Sequence, residues 1–317
     1  MVITNRNNLP QPLVEAILRD PYVGHASADI TVTRLIQPPR KVYLERKYAD
    51  QLQEDVTDRL WALYGQIVHG ILARAGASSG IIEKRYYGTM DGWSVSGQVD
   101  IILKTQTIVD YKFTSVWQAK NGVTPEWEQQ VNLLAWLART EGHAINDGQI
   151  IALFRDWSKL EARRDPAYPQ EQVKVMTVPL WETEKLLAFV KERVGVHQAA
   201  SLIVDDVDLP LCTPEERWER ETKWAVMKKG RKRAVKLWDN EEDAQKHAAA
   251  EKHCSVEVRR GEAVRCLAYC AAAPFCSFAR GLVAKEEEPQ QEEPSESQDF
   301  AVPVSGEKSE HESGLPS

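Results

Sequence analysis

The chain has 317 residues, 43% of them hydrophobic and 27% charged, enough to bury one large core or two ordinary ones. No apolar run approaches the roughly 18 residues of a transmembrane helix, and the N-terminus lacks the charged-then-apolar order of a signal peptide. A cytoplasmic protein with no membrane partner is therefore expected. The formal charge of −7 is set by residues 284–317, whose ten acids and two lysines hold −8 and leave the body at +1. That tail is rich in Pro, Ser and Glu and poor in aromatics, so it reads as disordered.

Along the chain, the opening segment to Asp20 reads as helical, and residues 28–48 begin like a strand before the double proline at Pro38 and Pro39. Thr57 then stands as an N-cap before a helix in which Leu60, Tyr64, Ile67 and Ile71 recur at helical spacing and which Gly76 can end. Three strands follow over 81–87, 93–103 and 107–113, the first two joined by the hairpin signal Asp91-Gly92. Thr124-Pro125 opens a helix, and strands near 149–155 and 172–179 precede a helix across 181–200. The fold class is α/β with a mixed sheet. Residues 1–204 form the core, and 205–283, richer in Lys, Arg and Cys, form a second module before the tail.

Within this frame the run GQVDIILKTQTIVDYKFTS places charges where apolar residues are expected. Alternation puts Asp100 on one strand face, and puts Ile108, Asp110 and Lys112 together on a face of the next. A hairpin centred on Thr105 sets Asp100 opposite Asp110, with Cβ atoms roughly 5 Å apart. Two carboxylates that close repel unless a cation lies between them, and such oxygen ligands suit Mg²⁺ or Mn²⁺. Lys112 can then orient an attacking water or offset charge on a phosphate. A plain strand ion pair between Asp110 and Lys112 is the alternative.

This Asp-x-Lys after an Asp-bearing strand, in an α-β-β-β-α-β order, resembles the PD-(D/E)XK nuclease superfamily, whose restriction-endonuclease-like core is a mixed sheet flanked by helices. GQIVHG, around His69, is similar to the histidine motif of its RecB-like branch, where Gly65 and Ala73 leave the imidazole free to reach a metal. EQQVNLLAWLA is similar to that branch's Gln-x-x-x-Tyr helix, with Gln130 on the glutamine and Leu134 in place of the tyrosine. The resemblance covers roughly residues 30–205 and implies metal-dependent phosphodiester hydrolysis. It makes His69, Asp100 and Asp110 metal ligands, Lys112 the group that positions water, and Gln130 a further catalytic residue. Glu83 reads either as a supporting carboxylate or as a surface residue.

Five cysteines stand at 212, 254, 266, 270 and 276. Cys266, Cys270 and Cys276 resemble the C-terminal cysteines of RecB-like nucleases of the AddB and CRISPR-adaptation types, which imply a [4Fe–4S] cluster. The family's N-terminal fourth cysteine is missing, and Gln-Pro-Pro-Arg occupies 37–40 instead. Cys212 is the choice for the fourth ligand and Cys254 the competitor. Four thiolates also suit structural zinc. Between them Lys228, Lys229, Arg231, Lys232 and Arg233 form a basic loop flanked by Trp224 and Trp238, suited to phosphates and to bases of single-stranded DNA or DNA ends, without sequence readout. The expected function is a DNA nuclease, an exonuclease on DNA ends in recombination, repair or phage DNA processing, with a recombination or replication protein as a partner. The alternatives are a non-catalytic DNA-binding or assembly subunit and a CRISPR-adaptation-type nuclease.

Overall fold

A computed structural model describes residues 2–19, 28–76 and 78–287. The N-terminal part holds β1 (Val2–Thr4), α1 (Gln11–Leu18), β2 (Ile30–Thr31), α2 (Val32–Leu35), α3 (Pro39–Lys47), β3 (Gln53–Asp55) and α4 (Leu60–Gly76). The core continues through β4 (Gly80–Met90), β5 (Trp93–Leu103), β6 (Thr107–Thr114), α5 (Val116–Ala119), α6 (Pro125–Thr140), β7 (Asp147–Phe154), α7 (Lys159–Arg164), β8 (Val173–Val178) and α8 (Thr183–Ser201). The rest is β9 (Lys223–Lys228), β10 (Lys236–Trp238), α9 (Glu241–Ala250), β11 (Cys254–Arg259) and α10 (Ser277–Glu287). No helix of the described residues is long and apolar enough to cross a membrane.

The expected three strands form a meander. Asp91 (φ 47°) and Gly92 (φ 82°) make the two-residue turn that joins β4 to β5. The β5–β6 pair is in register Ile101 with Val109 and Ile102 with Ile108, the register of a loop centred on Thr105. β6 runs parallel to β7 and β7 antiparallel to β8, so the sheet is mixed. Helices flank it on both faces. α6 is buried all round over residues 131–138 and packs Trp127, Val131, Leu133, Leu134 and Leu137 into the core. Its start follows the sequence: the Thr124 hydroxyl accepts from Trp127 N–H, and Pro125 occupies the first turn.

One feature of β5 positions everything else. It pairs antiparallel with β4 at every position except Asp100, opposite Glu83, while its other edge is shared: β2 pairs in parallel with Val95 and Ser96, and β6 takes Ile101 and Ile102. Between these contacts Gly97–Asp100 have no ladder partner on that edge, and the sheet forks. Gly97 is required there, because a Cβ would lie 2.5 Å from Leu134 Cδ2 and 2.9 Å from Val32 Cγ2.

Several expectations shift. The helix cap ahead of α4 is Asp55, not Thr57; its carboxylate accepts from Thr57 N–H and opens a 3₁₀ turn over Val56–Arg59. The double proline begins α3 rather than ending a strand. In α4 only Leu60 of the apolar series packs inward, against α1, while Tyr64, Ile67 and Ile71 are exposed. Residues 205–283 fall into two parts. The cysteine-bearing stretches pack on Leu44, Tyr43 and Tyr48 at α3, whereas β9, β10, β11 and α9 enclose a small core of their own. α10 runs on to Glu287, past the expected start of the tail at Ala284, and residues 288–317 of that tail lie outside those described.

Two measurements check this packing. Gly97→Ala should cost about 1–3 kcal/mol, because α2 and α6 are both locked in the core; a thermal melt indistinguishable from wild type would contradict the close approach. His197 on α8 is buried with Nε2 3.0 Å from Leu35 O, and burial holds its imidazole down to about 4. The unfolded chain therefore binds the extra proton first, and the stability this neutral histidine permits is lost as pH falls from about 6.5 toward 4. Replacing it in His197→Gln should flatten that part of the stability-against-pH curve relative to wild type.

Candidate metal centre

The fork between β2 and β6 opens into a cleft of about 710 Å³. α4 lines one side of it with Ala62, Gly65, Gln66 and His69, the small and polar residues of one helix face. Gln130 and Leu134 of α6 close the floor, and Arg34, Arg46 and Arg85 supply cations along the wall. Leu134, which stands where a tyrosine was expected from the resemblance, is buried and packs toward Gly97.

Asp100 sits where β5 and β6 part. Its Oδ2 accepts the Tyr111 backbone N–H at 2.7 Å, so the carboxylate replaces a missing ladder contact. Its Oδ1 lies 3.3 Å from His69 Nδ1. That hydrogen bond, reinforced by nearby negative charge, raises the His69 pKa above the ordinary histidine value against the opposing effect of burial. Glu83 completes the group. His69, Glu83 and Asp100 each present a ligand atom within 4.8 Å of the others, and among the described residues they are the one such set of His, Cys, Asp or Glu. Glu83 is held in the left-handed region at φ 47° in the middle of β4, and its Oε2 accepts from Gln98 Nε2 at 2.5 Å. A non-glycine strand residue in that conformation is strained, and the surroundings hold it facing the cleft.

Asp110 is almost wholly buried, and burial raises its pKa in spite of the lysine beside it. Lys112 Nζ forms an ion pair with Asp110 Oδ2 at 2.8 Å, which works against the effect of burial on that carboxyl. The ammonium also donates to Gln130 Oε1 at 2.8 Å. The sequence-derived set is thus brought together: His69, Asp100, Asp110, Lys112 and Gln130 meet at the fork. Asp110 falls outside the tight trio, where Glu83 takes its place. Of the two readings the sequence offers for Glu83, the structure places its carboxylate in the cluster, with an orientation that depends on a left-handed φ and on Gln98 across the ladder.

At the C-terminal end Cys212, Cys266, Cys270 and Cys276 line one cavity, while Cys254 packs apart from them in the small β9–β11 core. None is in a disulfide. Burial, with lesser contributions from Glu216 and the neighbouring cysteines, pushes Cys212 up to about 11. Arg40, only 2% exposed, donates from Nε to Cys276 Sγ at 3.1 Å and from Nη1 to Leu209 O at 2.8 Å. The Gln-Pro-Pro-Arg stretch thus delivers a guanidinium, rather than a thiol, to the cysteine cavity.

The basic loop joins β9 to β10, turning at Gly230 (φ 85°), with Lys229, Arg231, Lys232 and Arg233 exposed; Lys228 pairs with Glu251 at 3.4 Å. Trp224 and Trp238 face each other in the ladder and pack with Ala244 and Ala248 of α9. They brace the hairpin instead of presenting free rings, which corrects their expected part in stacking on bases.

No family model matches this chain, and no curated protein matches it. The crystal structure of SSO0001 is similar at a TM-score of 0.42 and 16% identity, over 59% of this chain and 85% of that one.

The His69–Glu83–Asp100 trio and its oxygen-rich donor set, with the buried Asp110 carboxylate beside it, fit a hard divalent cation. Added Mn²⁺ should raise the melting temperature of the wild-type protein by mass action, and Asp100→Asn should abolish the rise. In chelator, Asp110→Asn should melt higher than wild type near neutral pH, because a buried carboxylate with a raised pKa opposes folding when charged. Equal Mn²⁺ shifts in wild type and Asp100→Asn would remove the centre.

Proposed function

We propose that the chain is a divalent-metal-dependent DNA nuclease of the RecB-like PD-(D/E)XK kind, acting on DNA ends. The observation that carries this reading is the meeting of two aspartates, a lysine and a histidine at one fork in the sheet, with the Asp110 carboxylate buried against the lysine. His69, Glu83, Asp100 and Asp110 would hold Mg²⁺ or Mn²⁺. Such an ion supplies Lewis acidity at a phosphoryl oxygen and makes bound water more acidic.

The chain's own residues account for the remaining requirements. Tyr111 N–H fixes Asp100, so the carboxylate faces the cleft without reorganising. Gln130 and Asp110 hold the Lys112 ammonium between them, and from there it can donate to an attacking water or to a non-bridging phosphate oxygen. Arg34, Arg46 and Arg85 along the cleft neutralise backbone phosphates, for which planar guanidinium groups are well suited. The exposed cations of the β9–β10 loop add a second phosphate-binding surface.

The cysteine cavity would carry a [4Fe–4S] cluster. Four thiols line it, a number that serves a [4Fe–4S] cluster or a structural zinc alike. The likeness of Cys266, Cys270 and Cys276 to the C-terminal cysteines of RecB-like nucleases favours iron–sulfur. The positive charge of either centre would offset the burial that now raises the thiol pKa values.

The test is digestion of end-labelled single- and double-stranded DNA with Mg²⁺ or Mn²⁺, using protein prepared without oxygen. Asp110→Ala should lower the rate about a thousandfold or more, in line with the loss of several kcal/mol of charge stabilisation. Lys112→Ala should do the same. A folded Asp110→Ala protein that cuts at the wild-type rate would end the assignment. For the second centre, Cys270→Ser should lose iron and visible absorbance while Cys254→Ser keeps both. Colourless wild-type protein with stoichiometric zinc would reverse the choice of metal.

A further inference from the structure

The most exposed tryptophans of the core stand on α4, among the cleft-lining residues, and on α5, just past the end of β6. On α4 the cleft-lining residues Ala62, Gly65, Gln66 and His69 are interleaved with Trp61 and Tyr64, which are exposed. Trp61 packs edge-on against Tyr64, with ring centroids 5.7 Å apart, and the Arg155 guanidinium lies 4.0 Å from the Trp61 ring centre. Arg155 ties this patch to the end of β6: its backbone N–H donates to Thr114 O, and the adjoining Asp156 carboxylate accepts Val116 N–H at the start of α5. One residue further on, Trp117 is 76% exposed, with Lys120 Nζ 4.9 Å from its ring centre.

Two exposed indoles, each carrying a cation, therefore flank the C-terminal ends of β6 and β7, past Lys112. Burying an indole is strongly favourable, and a tryptophan 76% exposed leaves that gain unused in the free protein. Aromatic faces paired with side-chain cations are what a flexible polyanion with π-faces can satisfy: bases stack on the rings and phosphates meet Arg155 and Lys120. A duplex keeps its bases stacked on each other and cannot use such rings, so the chemistry selects a single strand.

We infer that Trp61 and Trp117, with Arg155 and Lys120, form a base-stacking platform that holds a single nucleic-acid strand beside the cleft. This deepens the nuclease reading, which it rests on for the strand's fate but not for its binding. The experiment is fluorescence anisotropy of a labelled oligo(dT) with full-length protein in chelator, where no cutting occurs, beside an abasic oligomer of equal length and charge and an oligo(U). Trp61→Ala and Trp117→Ala should each weaken oligo(dT) binding about fivefold or more, and Trp61→Phe and Trp117→Phe should recover most of it. Wild type should bind the abasic oligomer as weakly as the double alanine variant binds oligo(dT). Equal affinity for oligo(U) and oligo(dT) would support a platform that reads base faces alone. Unchanged oligo(dT) binding by the alanine variants, or full-strength binding of the abasic oligomer, would overturn the inference. Base-dependent binding in a protein that cuts no DNA under any metal would sustain the platform while the nuclease reading fell.

Discussion

The arrangement of this protein depends on β5 having one edge and two partners. An extended backbone edge normally satisfies its N–H and C=O groups along one neighbouring strand. Here β2 takes the start of that edge and β6 the end, and the two diverge over Gly97–Asp100. The gap has to be satisfied by side chains, and Asp100 does so by accepting Tyr111 N–H. The same gap opens the cleft, which α4 lines with His69. A sheet paired throughout would have no room for these groups.

The charges at the fork make sense only together. Asp110 is buried beside Lys112, whose ammonium is shared between that carboxylate and Gln130, so the pair offsets part of the desolvation cost. His69, Glu83 and Asp100 add two further carboxylates and an imidazole on the neighbouring strands and helix. Mutual repulsion of Asp100, Asp110 and Glu83 is offset in part by His69, whose raised pKa records that local negative charge.

Much of this was readable from the residues. The period-two pattern gave β4, β5 and β6, Asp91-Gly92 gave the first turn, and Thr105 gave the register of Ile101 with Val109, although the pairing ends there and Asp100 has no ladder partner at Asp110. Thr124-Pro125 gave the start of α6 and hence Gln130. What stayed hidden was non-local. The sequence offered Glu83 as a supporting carboxylate or a surface residue, but its orientation depends on a left-handed φ that no motif encodes, and the fork of β5 depends on a two-residue strand too short to leave a periodic signal. The exposed Tyr64, Ile67 and Ile71 keep helical spacing, but periodicity cannot say which apolar face the fold leaves uncovered. Trp224 and Trp238 were misread as free rings for the same reason, since burial by α9 is a tertiary fact.

The cysteine cavity and the cleft share a structural member. α3 is nine residues long, and it sends Arg40 to Cys276 Sγ, packs Leu44 into the cysteine-side core, and places Arg46 on the cleft wall. Tyr48, just past its end, stacks on Phe275 with centroids 4.4 Å apart. Arg40 is buried with its contacts to Cys276, Leu209, Asp206 and Ser277, so it cannot shift without leaving polar groups unpaired. The cysteine-bearing stretches are therefore braced against the core rather than appended to it. Whatever fixes the four thiols also fixes the helix that carries Arg46, and through it one cationic side of the cleft.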